Sequence, residues 1–245
     1  MKNLRAIFFD LDDTLLDDQG SYVRALEDAC RFAWRSCHLR GWKPLFDAYC
    51  RVSDAMWRRF DEWGRELDGE EIRLRVWQQT FAAMRSPVDI EQVRQVAVFY
   101  ARRRSETHDW LAGAREALME LGRGYRVGLI TNGAADIQRE KLRRMALPAF
   151  VDPVLIGGEV GIAKPDRRIF AQALAAADVG PHEALMVGDK AEIDIAGAHA
   201  AGMHAVWIAP AGLPWPLRRR EPVMRLTSVA ELPNALRMIA GVMEG

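Results

Sequence analysis

The sequence predicts an α/β protein built on a parallel sheet, with a helical segment inserted after the first strand. Three observations carry this. Ala6-Ile7-Phe8-Phe9 is a short apolar run that reads as a buried strand. From Ser21 to Arg104 the apolar spacing is helical, with few strand signals. From Leu111 onward helical and strand segments alternate, the pattern of parallel strands joined by crossover helices.

In chain order, the first strand covers residues 5–9, and Asp17 to Gly20 is a polar, turn-like stretch. Gly41 with Pro44, Gly64 with Gly69, and Ser86 with Pro87 divide the insert into about four helices. Six of the eight tryptophans fall between Trp34 and Trp110. They read first as helix-bundle core, with stacking on a nucleobase or sugar as the alternative. Helices are then expected over residues 114–121, 135–145, 166–177 and 193–201, and strands over 126–130, 153–156, 184–187 and 205–208. Residues 210–223 are rich in Pro and Arg and read as a loop, and a last helix follows Ser228, whose side chain can cap it. There is no internal repeat.

Bulk properties exclude several function classes. The 245 residues are enough to bury a sizeable core, and the formal net charge is zero. No global field draws the chain to nucleic acid or a membrane surface, so neither is expected as a partner. Arg102-Arg103-Arg104 and Arg218-Arg219-Arg220 read as solvated faces. Cys30, Cys37 and Cys50 are an odd count without metal-type spacing, which suggests reduced thiols and a cytoplasmic protein. Lys2 and Arg5 precede an apolar run that stops at Asp10, too short for a signal peptide, and no run of about 18 apolar residues exists.

Function concentrates where strands end. In open α/β sheets, ligands bind beyond the carboxyl ends of the strands. Asp10, Asp12 and Thr14 follow the first strand; Thr131, Asn132 and Gly133 follow the second. Gly188 and Asp189 follow the strand at 184–187, with Asp194 five positions on, and Lys164 precedes a helix. Two carboxylates at i and i+2 after an apolar strand are poor choices for stability, because carboxylates are rarely buried unpaired. Their spacing suggests one acid doing nucleophilic work and the other moving protons, beside a cation. The glycines of Gly122-Arg123-Gly124 follow a helix and precede a strand, the reverse of a dinucleotide loop. His38, His108, His182, His199 and His204 show no metal spacing.

Asp10-Leu11-Asp12-Asp13-Thr14, Leu129-Ile130-Thr131-Asn132-Gly133, Lys164-Pro165, and Gly188-Asp189 with Asp194 together resemble, in order, the four motifs of the haloacid dehalogenase-like hydrolase superfamily. The resemblance implies a Rossmann-like parallel sheet core at residues 1–16 and 108–245, with an inserted α-helical bundle cap at 17–107 that closes the site against water. It implies a magnesium-dependent phosphatase of small phosphorylated molecules. Asp10 would be the nucleophile that forms an aspartyl phosphate, and Asp12 the general acid/base. Thr131, the Asn132 amide and Lys164 would hold phosphoryl oxygens. Mg²⁺ would take Asp10, the Asp12 backbone carbonyl and Asp189. Thr14, Gly133, Gly188 and Asp194 would support the site, Asp194 through a metal-bound water or the lysine. The pattern departs from that of many relatives at Lys190 and Ile193, where small polar residues are usual. Lys190 places a second cation near the metal or points to solvent. Arg24, Trp57, Arg58 and Arg59 are unranked specificity candidates in the insert.

Three other readings compete. A 2-haloacid dehalogenase usually lacks the second acid, so Asp12 argues against it. A phosphomutase needs the cap to exclude water, which no sequence feature shows. A binding module with a retired site conflicts with the intact set of Asp10, Asp12, Thr131, Lys164 and Asp189.

Overall fold

The computed structural model describes residues 3–58, 67–218 and 220–242. The expectations placed on Lys2, Arg59, Trp63, Gly64 and Arg219 lie outside the described residues. The chain divides into two compact units, Met1–Asp17 with Asp109–Gly245, and Asp18–His108.

The first unit is a six-stranded parallel sheet in the order β3-β2-β1-β4-β5-β6. Its strands are β1 (Ala6–Phe9), β2 (Arg126–Thr131), β3 (Val154–Ile156), β4 (Ala184–Gly188), β5 (His204–Ile208) and β6 (Met224–Leu226). β1 is apolar at every position because both of its faces are covered. Ile7 and Phe9 join one core with Leu129 and Val187, while Ala6 and Phe8 join another with Ile130 and Met186. The chain builds outward from β1 through β2 to β3, then crosses back to β4 on the other side. The strand order therefore reverses at β1/β4, where such sheets bind ligands. Phe9 is in register with Leu129 and with Val187, which sets the ends of β1, β2 and β4 close to one level.

The second unit consists of α1 (Asp18–Ser36), α2 (Lys43–Trp57), α3 (Gly69–Ala83) and α4 (Ile90–Thr107) among the described residues. Asp68 with Glu71 and Asp89 with Gln92 form reciprocal capping boxes that start α3 and α4. Leu26, Leu45, Tyr49, Trp77, Phe81 and Tyr100 pack at its centre. Trp77 is fully buried, but Trp34 and Trp57 are 38% and 43% exposed, so the insert's tryptophans are not all core.

Four local expectations need correction. Asp18, Gln19 and Gly20 are not a turn but the first turn of α1, because Arg104 and His108 hold the Asp18 carboxylate at 2.7 and 3.4 Å. For the same reason Arg104 is not a solvated residue; its guanidinium is mostly buried within this unit. The sixth strand is absent from the predicted set, as Met224-Arg225-Leu226 is too short and too exposed to show a pattern. The helix expected from residue 193 begins earlier, as a π-helical turn, Ala191–Ile195, that runs into a short α-helix, Ala196–Ala200. Ser228 does cap the final segment, its Oγ accepting from the Ala230 amide at 3.2 Å.

Among the described residues, no helix is long and apolar enough to cross a membrane. The three cysteines are all free thiols.

Candidate active site

The predicted site residues lie at or beyond strand ends of the sheet unit: Thr131 closes β2, Gly188 closes β4, Asp10 and Asp189 come directly after β1 and β4, and Lys164 follows the short helix Gly157–Val160 beyond β3. Asp10 is the first residue beyond β1, and its amide donates to the Val187 carbonyl of β4 at 2.9 Å. That bond draws the first acid into the switch-point crevice. Asp10 is only 6% exposed, and Lys164 Nζ donates to its Oδ1 at 2.5 Å. The same ammonium lies 2.7 Å from Asp194 Oδ1. Lys164 is itself nearly sealed, so two carboxylates compensate its buried charge.

Lys164 is aimed by its backbone. Its N–H donates to Asn132 Oδ1 at 2.8 Å, and the Asn132 side-chain amide donates to the Lys164 carbonyl at 2.9 Å. The segment after β2 is thereby fastened to the lysine loop. Thr131 is buried, with its hydroxyl facing Gln138 at 3.0 Å.

The acids after β4 are placed by the absence of a side chain. A Cβ on Gly188 would lie 2.4 Å from Asp194 Oδ2 and 2.5 Å from Asp194 Cβ, so only glycine lets Asp194 reach the lysine. The other Asp194 oxygen accepts from the Lys190 amide at 3.0 Å. Thr14 is fully buried and its hydroxyl donates to Asp189 Oδ1 at 3.4 Å. Trp207 of β5 donates from Nε1 to the Asp189 carbonyl at 2.7 Å.

Asp10, Asp189 and Asp194 each offer a carboxylate oxygen, and these oxygens lie within 4.8 Å of one another. With one buried ammonium among three carboxylates, negative charge is left uncompensated. Burial, opposed by Lys164 and reinforced by Asp194, Asp189 and Asp12, pushes the Asp10 carboxyl from 3.8 up to about 8. Burial and Asp194 push Asp189 from 3.8 up to about 6. Burial alone would lower the Lys164 ammonium, but Asp10 and Asp194 hold it above its ordinary value. Partial desolvation would likewise lower Lys190, yet Asp189, Asp10, Asp194 and Asp12 together hold it above its ordinary value. The donor set is all oxygen and carries excess negative charge, which fits a hard divalent cation such as Mg²⁺.

Two buried residues of the helix Ala135–Arg144 escape sequence reasoning. Lys141 Nζ donates to Asp12 Oδ1 at 2.8 Å, and Gln138 Nε2 donates to Asp12 Oδ2 at 2.9 Å. The only trace in the sequence is their i, i+3 spacing on one helix face, which surface residues share. None of the five histidines joins the acid cluster. Arg24, Trp57 and Arg58 belong to the helical unit, where Arg24 donates to the Thr107 carbonyl at 3.1 Å.

The sequence profile of the haloacid dehalogenase-like hydrolases matches residues 4–202, so the chain belongs to that hydrolase family. A phosphoserine phosphatase of Thermus thermophilus is 35% identical over 226 residues, which span 84% of this chain and 88% of the relative. An N-acylneuraminate-9-phosphatase of Mus musculus is 29% identical over 243 residues, spanning 98% of this chain and 96% of the relative. The solved structure of a 2-haloacid dehalogenase from Pseudomonas syringae matches with a TM-score of 0.69 at 28% identity, covering 96% of this chain and 99% of that one.

Proposed function

We propose that the chain is a magnesium-dependent phosphatase of small phosphomonoesters that works through an aspartyl phosphate on Asp10. The observation that carries this is the convergence of Asp10, Asp189 and Asp194 on one point, with Lys164 2.5 Å from the Asp10 carboxylate. Asp10, Asp189 and the Asp12 carbonyl would hold the ion, which screens an anionic nucleophile from an anionic substrate and polarises the phosphoryl oxygens.

This chain's residues divide the work. Asp10 attacks phosphorus with a carboxylate oxygen, and the ester oxygen leaves. Asp12 gives that oxygen its proton, then takes one from the water that cleaves the acyl phosphate. Lys164, Thr131 and the Asn132 amide hold the phosphoryl oxygens as charge redistributes. Asp194 fixes Lys164, and Thr14 fixes Asp189. The helical unit at Asp18–His108 would serve as the cap of the family pattern. The three free thiols fit a reducing, cytoplasmic setting.

The two phosphatase relatives act, by their names, on different phosphorylated molecules. The proposed substrate class is therefore small phosphomonoesters in general. The dehalogenase reading has a structural relative in its favour, but it gives no task to Asp12. Release of inorganic phosphate from an aryl phosphate tests the proposal. Turnover should require Mg²⁺, stop with excess chelator, and be lost in Asp10→Asn. Undiminished turnover in chelator would remove the metal from the account. Chloride release from a 2-chloro acid without phosphate release would favour the dehalogenase.

A further inference from the structure

One helix ties the acid Asp12 to the segment that follows β2. Gln138 and Lys141 project from Ala135–Arg144 and are 2% and 4% exposed. Sealing an amide and an ammonium from water is costly unless partners compensate them. Here the partners of the ammonium and of the amide nitrogen are site atoms, while Gln138 Oε1 is buried without a hydrogen-bond partner among the described residues. Lys141 Nζ meets Asp12 Oδ1 at 2.8 Å. Gln138 Nε2 faces Asp12 Oδ2 at 2.9 Å, Thr131 Oγ1 at 3.0 Å and the Asn132 carbonyl at 2.6 Å. Room for that amide is made locally. Gly133 has φ +108°, and a Cβ there would lie 3.2 Å from Gln138 Nε2.

We propose that Gln138 and Lys141 are positioning residues for proton transfer, clamping the Asp12 carboxylate at a fixed place relative to Thr131 and Asn132. The proposal rests on the reading of Asp12 as the acid–base residue. Each carboxylate oxygen has its own donor on one rigid helix, so neither the side chain nor the carboxylate plane can turn without breaking a charge-assisted or amide bond. A carboxylate offers about four acceptor sites, and the clamp uses two. The others remain for the proton that Asp12 delivers to the ester oxygen and recovers from water. Because Gln138 also holds the Asn132 carbonyl, the distance between acid and phosphoryl site is set by one side chain. Misplacement of a catalytic group by about 1 Å can cost 10²-fold in rate.

A double-mutant cycle tests this. Lys141→Met and Gln138→Met, each of similar volume, are made in the parent and in Asp12→Asn. Steady-state rates are measured in Mg²⁺ with an alkyl and an aryl phosphate, and thermal unfolding reports on folding. In the parent, each substitution should lower kcat for the alkyl phosphate by about 10²-fold, with KM little changed and a smaller loss for the aryl ester. In Asp12→Asn, neither should cause a further loss, because the residue they position is gone. Equal losses in both backgrounds, a change confined to KM, or no loss at all would overturn the positioning role. Gln138→Met removes only a neutral donor and decides the matter where Lys141→Met does not fold. If Asp12→Asn itself turns over the alkyl ester like the parent, the reading of Asp12 fails and the clamp falls with it. A slow Asp12→Asn with equal losses would overturn the clamp alone.

Discussion

Lys164 and Asp194 form an ion pair at 2.7 Å in which both side chains are almost completely buried. Asp10 shares the same ammonium at 2.5 Å. The lysine thus joins the strand-end acid to the last acid of the chain's four motifs, and its loss should be felt at both.

Lys164→Met leaves two buried carboxylates without their cation. Breaking a buried pair from one side typically costs about 3–5 kcal/mol. The loss should be larger at pH 8 than at pH 5, because Asp10, pushed up to about 8 by burial, can take a proton at the lower pH. Phosphatase turnover should fall by about 10²–10³-fold, as when one oxyanion donor is removed. Denaturant unfolding at the two pH values checks the first part. Equal destabilisation at both would contradict the charge account.

Gly188→Ala adds one methyl group at a point where no atom can be accommodated. The new Cβ would meet Asp194 at 2.4–2.5 Å, so Asp194 or the end of β4 must shift. Overpacking of this kind costs about 1–3 kcal/mol. The shift also withdraws Asp194 from Lys164, so activity should fall further than stability alone explains. A fully active, stable Gly188→Ala protein would show that the position of Asp194 is not needed.

The cluster should make metal-free stability depend on pH in an unusual direction. Asp10 and Asp189 are pushed up from 3.8 to about 8 and about 6, so the folded state holds protons that the unfolded chain releases. Their favourable contribution is fully present below 3.8 and is lost as pH rises through about 6 and about 8. In chelator, the parent should therefore lose stability relative to Asp10→Asn between pH 5 and pH 8. Added Mg²⁺ should reverse this, adding about 2.7 kcal/mol at 100 times its Kd. The gain should be greater at pH 8, because ligands must be deprotonated to bind. Identical pH slopes for parent and variant would contradict the cluster's electrostatics.

Much of this site is legible in the sequence because its chemistry sits where strands end. Asp10 and Asp12 follow an apolar run too short for anything but a buried strand. Thr131 and Asp189 repeat that placement at the ends of β2 and β4. Gln138 and Lys141 are not legible in this way. On a helix, a glutamine and a lysine three apart look like solvated residues, and only the pairing of β1 with β2 turns that face toward Asp12. The π-helical turn at Ala191–Ile195 leaves no such signal in the sequence; Asp194 within it packs over Gly188. Arg104 escapes because its partner, Asp18, lies at the far end of the insert's sequence.

The central claim is that phosphate passes through a covalent bond to Asp10, and a rapid-quench experiment tests it most directly. The protein is mixed with a phosphomonoester in Mg²⁺, quenched in acid within a single turnover, digested and analysed by mass spectrometry. Asp12→Asn, in which the second step is slowed, should accumulate the intermediate most strongly with an aryl ester. The account predicts one added phosphoryl group on the peptide that contains Asp10, lost on treatment with hydroxylamine and absent from Asp10→Asn. Phosphate release through the full time course with no phosphorylated peptide, or a phosphoryl group on any other residue, would contradict it.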